Sequence, residues 1–432
     1  MSIFGGFSNF PRRLPNGQIE GPLLGPVPNT TQGFNETQRG AGAPPKTLPP
    51  VRVNTPVLAK IDPQIMWSGI IHGYSGYAKA NREIVKRVLR SMKAGFAFDA
   101  PWDARERDKA NIRLLKSLRV NRIDERAPQI TFLPPKSESR PGYRVIYTMM
   151  ETETVHRDMI HLMNSQYHEC WVPTEWNAGT FKRSGLTLPV RVMPLGIDPD
   201  IYHPDVAPMM PQALCLTGKN AGKREIPSGF LFIYVCQPTF RKGIEVVIEA
   251  FCRAFENDQE AGLIIASTSH SGAMFQPDLS VKPRIWLLDS PCSETDLAGI
   301  YKSCKAYVCA SRGEGWNLPM MEAAGVGIPI IIPRTSAHPD LVPEDQGFFF
   351  SPDHTRVFER AKEISHWFEG IPFPDFGERS HQELIHHLRM VKHGYRSAAE
   401  IGLRYMKTVR TRFTWDRAAE SVIGRIKELC RG

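Results

Sequence analysis

Most apolar positions in residues 58–204 occur in short runs separated by amphipathic segments. Residues 65–71 predict a buried strand, and residues 79–92 predict a helix because their apolar side chains recur every three or four positions. The further elements predicted here are strands at 129–133, 143–150 and 170–174, helices at 107–120 and 155–164, and a closing segment at 188–198. Strands that alternate with helices predict a parallel, doubly wound sheet.

The same alternation returns after residue 229. Residues 230–236 predict a strand, and residues 244–255 predict an amphipathic helix. The further elements predicted here are strands at 262–268, 284–289, 306–311 and 329–333, helices at 294–304 and 320–327, and helical sequence from about residue 383 to residue 429. This half of the chain is therefore expected to form a second Rossmann-like α/β unit.

The length of the chain fits two such domains, because it has 432 residues and a domain typically has about 100–200. The N-terminal segment is rich in Pro and Gly and cannot bury enough apolar surface to order itself, so it predicts an extended arm. The predicted organisation is an arm at 1–57, a first domain at 58–204, a linker at 205–229, a second domain at 230–400 and a C-terminal helix at 401–432.

Positive charge is concentrated in two parts of the chain. The sequence carries 54 Lys and Arg against 45 Asp and Glu, a formal charge of +9. Basic residues are in excess in 79–144 and 389–432, whereas acidic residues are in excess in 145–388. The predicted helices at 79–92 and 107–120 carry their Lys and Arg off the apolar face, which suits a solvated surface, an anionic membrane surface or nucleic acid.

Several classes of protein are disfavoured by what the sequence lacks. The eight cysteines include no C-x-x-C pair, so neither a structural zinc site nor a disulfide framework is predicted. The chain begins without a signal-peptide pattern and has no apolar run of about 18 residues, so we expect a cytoplasmic protein that at most associates peripherally with a membrane. The spacing of four histidines does not suit a metal, and we expect them to face solvent: His381, His386, His387 and His393.

The clearest chemical pattern lies in residues 311–331. A predicted strand is followed by a glycine-rich loop that contains Glu314, and a helix begins near Pro319 with Glu322 in its first turns. Backbone N–H groups of such a loop and helix N-terminus suit a diphosphate group. The two carboxylates accept hydrogen bonds from hydroxyls, which a sugar and a ribose offer.

The spacing of Glu314 and Glu322, in the frame SRGEGWNLPMMEAA, closely resembles the retaining nucleotide-sugar glycosyltransferases of family four. These enzymes have the two-domain GT-B fold, in which two Rossmann-like domains face a cleft. Further segments resemble the family in the family's order: METE (150–153) and the segments at 167–185, 190–204, 240–251 and 412–420. The resemblance covers roughly residues 60–430 and leaves the arm outside.

The resemblance implies roles for individual residues. Glu314, Lys242 and Arg241 are expected to be catalytic, with Glu314 against the transferred sugar and the two cations on the donor diphosphate. Glu322 is expected to bind the ribose hydroxyls. The other expected donor-side residues are Gly313, Gly315, Asn317, Leu318, Gly73, Gly76 and Gln237, and the expected acceptor-side residues are Glu151 and Thr152. The family commonly has a Gly-Arg pair where this chain has Gln237, so Arg241 is expected to take over part of the phosphate binding.

The function implied is transfer of a sugar from a UDP- or GDP-linked donor to a hydroxyl, with retention of configuration and without a metal. A glycan or lipid-linked glycan is the first expectation for the acceptor, and the basic helices suggest an anionic acceptor or an anionic surface. Two alternatives stay open at this point: a DNA glycosyltransferase that acts on hydroxymethylated bases, and an inactive GT-B module that binds glycans or partners. The C-terminal helix is expected to cross back to the first domain.

Overall fold

The computed structural model describes residues 60–71, 73, 75–97, 113, 122–136, 142–215, 222–226, 228–267, 284–289 and 292–431. Two predicted segments lie outside these residues, namely the arm at 1–57 and, apart from residue 113, the helix at 107–120. The described residues all belong to one compact unit that begins at Pro50.

The first sheet has six strands in the order β2-β1-β3-β4-β5-β6, and every pair of neighbours is parallel. Its strands are β1 (Gln64–Gly69), β2 (Lys93–Ala97), β3 (Gln129–Phe132), β4 (Arg144–Tyr147), β5 (Glu169–Val172) and β6 (Val190–Val192). Its helices are α1 (Gly76–Val88), α2 (Arg157–Gln166) and α3 (Glu175–Arg183). The predicted parallel α/β architecture is confirmed for this half.

The second sheet has eight strands in the order β14-β13-β12-β9-β10-β11-β7-β8, of which the first six are parallel. The strands are β7 (Ala213–Cys215), β8 (Lys223–Arg224), β9 (Phe230–Val235), β10 (Ala261–Ser267), β11 (Arg284–Asp289), β12 (Ala306–Val308), β13 (Ile330–Pro333) and β14 (Phe348–Phe350). The segment predicted as a linker, 205–229, thus contributes two short antiparallel strands to one edge of this sheet.

The helices of the second half are α4 (Ile244–Ala254), α5 (Glu294–Ser303), α6 (Leu318–Val326), α7 (His338–Leu341), α8 (Glu378–His393), α9 (Tyr395–Arg412) and α10 (Trp415–Leu429). A small hairpin of β15 (His354–Val357) and β16 (Pro372–Asp375) stands apart from the sheet. Its Phe373 belongs to an apolar cluster that also contains Met159 and Ile160 of α2. The hairpin therefore packs across onto the first domain.

The chain returns to the first domain at residues 413–414. Ile197 N–H donates to the Phe413 carbonyl at 2.9 Å, and Trp415 N–H donates to the Ile197 carbonyl at 3.1 Å. Helix α10 then packs along α1. The boundary predicted at residue 401 falls inside α9, which packs on α6 of the second domain, so the crossing segment begins at residue 413.

The expectation that all four histidines face solvent is wrong for His381. It lies in the first turn of α8 and is buried, with Nδ1 against the Gly377 carbonyl at 2.8 Å and Nε2 3.5 Å from Glu249 of α4. His387 is half-buried and its Nε2 lies 2.8 Å from the Phe349 carbonyl, whereas His386 and His393 are exposed. In the described part of the chain no three His, Cys, Asp or Glu side chains are grouped as a metal site would require.

Candidate active site

The glycine-rich loop at 311–317 connects the carboxyl end of β12 to α6. Asn317 adopts a left-handed conformation, with φ 67°, and its side-chain oxygen accepts the Met320 N–H at 3.3 Å. The Asn317 amide also donates to Nε2 of His338 at 2.9 Å, while Nδ1–H of His338 donates to the Pro333 carbonyl at 3.0 Å. These bonds fix the N-terminus of α6, which carries a partial positive charge.

Arg241 and Lys242 lie on a 3₁₀ turn that follows β9. The turn ends at Gly243, which has φ 59° and packs so closely on the segment after β12 that an added Cβ would lie 2.1 Å from the Ala310 carbonyl oxygen. Only glycine satisfies both the left-handed backbone and this contact. The Tyr234 hydroxyl also donates to the Lys242 carbonyl at 2.5 Å. Two cations are thereby placed beside the glycine-rich loop.

The two cations form a compact ion-paired group with two carboxylates, which we call the charge cluster: Arg241, Lys242, Glu314 and Glu151. Lys242 Nζ lies 2.5 Å from Glu314 Oε1, and Arg241 Nη1 lies 3.4 Å from Glu314 Oε2. Arg241 Nη2 lies 3.6 Å from Glu151, which belongs to the first domain. The cluster therefore spans the junction of the two domains.

The carboxylates of the charge cluster have opposite pKa shifts. Burial alone would raise the pKa of Glu314, but Lys242 and Arg241 outweigh it and hold that pKa at about 2. Burial raises the pKa of Glu151, and Arg241 only partly offsets it. Glu314 is therefore firmly ionised at neutral pH, whereas Glu151 holds a proton more readily than an ordinary glutamate.

Glu322, in the second turn of α6, is paired with a lysine from the first domain. Lys79 Nζ of α1 lies 2.7 Å from Glu322 Oε1, 2.8 Å from Glu294 Oε2 and 3.0 Å from the Tyr202 hydroxyl. The Tyr301 hydroxyl donates to the other Glu322 oxygen at 3.4 Å. The interpretation of the basic face of α1 as a solvated surface is wrong for Lys79, because this part of the helix lies against the second domain.

Part of the chain that contains this site is similar to known glycosyltransferases in sequence. Residues 229–366 match the family model "Glycosyl transferases group 1". A 114-residue segment is also 31% identical to D-inositol 3-phosphate glycosyltransferase of Corynebacterium glutamicum (strain R), and it spans 24% of this chain and 27% of that relative.

The fold of the chain is also similar to those of solved glycosyltransferases. The structure of Anabaena HepE in complex with UDP and glucose superposes with a TM-score of 0.59 at 12% identity, covering 85% of this chain and 100% of that chain. Sucrose-phosphate synthase from Thermosynechococcus elongatus gives a TM-score of 0.59 at 11% identity, covering 85% and 99%. The GT-B fold expected from the sequence resemblance is confirmed. Among the described residues, no helix combines the length and apolarity needed to cross a membrane.

Two predicted glycines of the loop at 311–317 lie against the first domain. A Cβ added at Gly313 would lie 1.7 Å from the Glu151 carbonyl oxygen, and one added at Gly315 would lie 2.6 Å from Cβ of Met149. The Asn177 amide of α3 donates to the Gly315 carbonyl at 3.1 Å. These glycines therefore allow the two domains to approach closely at the charge cluster.

The other predicted residues occupy the edges of the site. Gly76 begins α1 opposite Leu318, and the Gly73 carbonyl, where φ is 80°, accepts Nη1 of the buried Arg82 at 2.8 Å. Thr152 turns its hydroxyl back to the Thr154 carbonyl at 2.8 Å. Gln237 is exposed at the end of β9 and is not one of the charge cluster.

Sequence reasoning missed Lys79, Glu294 and His338 as parts of this site. A signal for Lys79 was present, because a lysine in the first turns of a helix opposes the helix dipole and needs a specific partner. The first turn of α1 contains no acidic residue that would provide one locally. No comparable local pattern pointed to Glu294 or His338.

Proposed function

We propose that the protein is a retaining glycosyltransferase that moves a sugar from a UDP- or GDP-linked donor to a hydroxyl acceptor. The observation that carries the proposal is the charge cluster: two cations beside the N-terminus of α6, in the segment that matches the group 1 model, opposite Glu151 of the other domain. This arrangement suits a leaving group that gains negative charge between two domains.

In this proposal the main contacts to the donor come from the two cations of the charge cluster. Arg241 and Lys242 pair with the diphosphate, and the backbone N–H groups at the start of α6 add their partial charge. The phosphates compete with Glu314 for these cations, which frees the Glu314 carboxylate to accept hydrogen bonds from the sugar hydroxyls. Glu322 accepts hydrogen bonds from the ribose. Because two cations and a helix terminus act on the diphosphate, this chemistry needs no bound metal.

The transfer step in this proposal takes place on one face of the sugar. The bond from the anomeric carbon to the leaving phosphate oxygen breaks, and a bond to the acceptor oxygen forms on the same face. The acceptor proton passes to the leaving phosphate, so no side-chain nucleophile is required. Glu151 faces this point from the first domain and orients the acceptor hydroxyl, with its 18% exposed side chain leaving access from the cleft.

For the acceptor we propose a glycan or a lipid-linked glycan, as the resemblance implies. The basic face of α1 gives less support to DNA than the sequence suggested. Lys79 and Arg82 are buried, and Arg87 pairs with Glu83 and Asp416. These cations are occupied within the protein and do not form a free phosphate-binding surface.

The first experiment is a thermal-shift screen of the full chain against nucleoside diphosphates and UDP- and GDP-sugars, followed by turnover assays with the stabilising donor. We expect at least one donor to raise the melting temperature and to be consumed with an acceptor. Lys242→Met and Glu314→Gln should each reduce turnover by about a hundredfold or more, the usual effect of removing one group that stabilises a transition state. Lys407→Met, an exposed lysine on α9, is the matched control.

Two outcomes would contradict this proposal at different levels. Wild-type turnover in both Lys242→Met and Glu314→Gln would exclude the charge cluster as the reaction site, and a panel without any turnover would favour the inactive binding module. The anomeric configuration of the product, determined by NMR, tests retention separately. A product of inverted configuration would overturn the same-face mechanism while leaving transferase activity intact.

A further inference from the structure

Lys79 connects the two domains at the carboxylate that the proposed function assigns to the ribose. It belongs to α1 of the first domain, whereas Glu322 and Glu294 belong to α6 and α5 of the second. The Lys79 side chain is 11% exposed and that of Glu322 is 5% exposed, so this ion pair is largely shielded from water. Because Lys79 and its two carboxylate partners belong to different domains, this contact depends on how the domains are positioned relative to each other.

A buried carboxylate at this position needs a cation to remain charged. Burial raises the pKa of Glu322 even with Lys79 beside it, and the nearby Glu294 adds to that effect. Burial acts to lower the pKa of Lys79, but Glu322 and Glu294 outweigh it and raise that pKa above its usual value. Lys79 is therefore charged, whereas Glu322 without Lys79 would take up a proton still more readily.

The protonation state of Glu322 decides what it can bind. A carboxylate has two acceptor oxygens and no donor, so it can accept hydrogen bonds from both hydroxyls of a ribose. A neutral acid uses one oxygen as a donor and accepts more weakly. Two phenols lie beside this ion pair and supply no positive charge: the Tyr301 hydroxyl donates to Glu322, and the Tyr202 hydroxyl accepts from Lys79.

We infer that Lys79 is a positioning residue for nucleotide recognition: from the first domain it keeps Glu322 ionised and oriented, so that the ribose site is complete only when the two domains are together. The inference deepens the proposed function and depends on it. According to this inference, the preference for a ribose over a deoxygenated sugar requires the contact between Lys79 and Glu322. Glu294, at the partly exposed start of α5, has a secondary role: it forms a second ion pair with Lys79.

The test compares affinities for two probes by calorimetry on the full chain. One is UDP or GDP, whichever stabilises the wild type, and the other is its 2′,3′-dideoxy analogue, which keeps the base and the diphosphate. We expect Lys79→Met to reduce affinity for the ribonucleotide by about tenfold or more, the usual effect of losing a hydrogen bond to a charged group. Affinity for the dideoxy probe should stay within twofold of the wild type, so the selectivity for ribose disappears.

Three further variants separate this role from a structural one. Lys79→Gln combined with Glu294→Gln keeps the total charge of the group, and it should lose the selectivity as well. Glu294→Gln alone keeps the ion pair between Lys79 and Glu322 and should retain the selectivity for ribose. Lys86→Met, a partly exposed lysine on the same helix, is the matched control and should behave as the wild type. Circular dichroism of each variant establishes that it is folded.

The possible results are distinct. Wild-type selectivity for ribose in Lys79→Met and in the charge-balanced double variant would overturn the inference and leave the proposed function standing. Tighter ribonucleotide binding in these variants would also overturn it, because Lys79 would then compete with the ribose for Glu322. Absence of any nucleoside diphosphate binding by the wild type would overturn the proposed function, and this inference with it.

Discussion

His338 is a buried imidazole whose two ring nitrogens have different partners. Nδ1 faces the Pro333 carbonyl, which can only accept, so Nδ1 carries the proton and Nε2 accepts from the Asn317 amide. Burial lowers the pKa of His338 to about 4, although the Glu314 carboxylate acts in the opposite direction. The neutral ring is thus required to hold Asn317 at the start of α6.

This imidazole makes stability depend on pH in mildly acidic solution. The pKa of His338 is about 4 when folded and about 6.5 when unfolded, so between these values the unfolded state binds more protons. The contribution is complete above about pH 6.5 and is lost as the pH falls toward 4. We expect the unfolding free energy to fall by up to about 1.4 kcal/mol per pH unit over this window from this group alone.

Denaturant unfolding between pH 7.5 and pH 5 checks this expectation. His338→Gln keeps one donor and one acceptor but does not titrate, so its stability should depend on pH less steeply than that of the wild type. His386→Gln changes an exposed imidazole on α8 and serves as the control. Equal slopes for the wild type and His338→Gln would show that His338 does not bind protons differently in the two states.

Besides its bond to His338, Asn317 supports helix α6 through its backbone conformation and its cap. The residue adopts φ 67°, a conformation that costs other side chains roughly 1–2 kcal/mol. Its side chain also caps the helix, and loss of such a cap costs about 1 kcal/mol. The start of α6 therefore combines a strained backbone with a side chain that compensates for it.

Two substitutions separate these contributions. We expect Asn317→Ala to lower the unfolding free energy by at least about 2–3 kcal/mol, because it loses the cap and the bond to His338 and keeps the backbone strain. Asn317→Gly loses the same two bonds but accepts the conformation, so it should be about 1–2 kcal/mol more stable than Asn317→Ala. Denaturant unfolding at pH 7.5 measures both. A glycine variant as unstable as the alanine variant would mean that the backbone conformation contributes little.

The strands and helices differ in how well the sequence predicts them. Strands β9 (Phe230–Val235) and β10 (Ala261–Ser267) are nearly continuous apolar runs, as buried parallel strands require, and their positions were predictable. Strands β7 and β8 have three and two residues, too few for any periodicity to appear. Helix α3 was not predicted, because its short sequence, EWNAGTFKR, offers few apolar side chains and begins directly after a strand.

At the scale of the whole molecule, the pattern of apolar and polar residues predicts which face of a helix is polar. It does not predict which distant residues that face contacts. The spacing of Glu314 and Glu322 indicated the site because both residues lie in one loop and helix. The pairing of Lys79 with Glu322 joins positions 243 residues apart. Local periodicity therefore placed Lys79 on the polar face of its helix and left solvent, a membrane surface and nucleic acid open as its surroundings, and only the packing of α1 on the second domain identifies Glu322 as its partner.

The contact of Gly313 with Glu151 gives a direct test of how far function depends on the approach of the two domains. An added methyl group would lie 1.7 Å from the Glu151 carbonyl oxygen, so the loop and the first domain must move apart in Gly313→Ala. We expect turnover to fall by up to about a hundredfold, because small displacements of reacting groups have effects of this size. Affinity for a dideoxynucleoside diphosphate should change little, since Arg241 and Lys242 both belong to the second domain. Gly424→Ala is the matched control, because the space around this position on α10 is open. Wild-type turnover in Gly313→Ala would show that turnover does not depend on the close approach of the two domains.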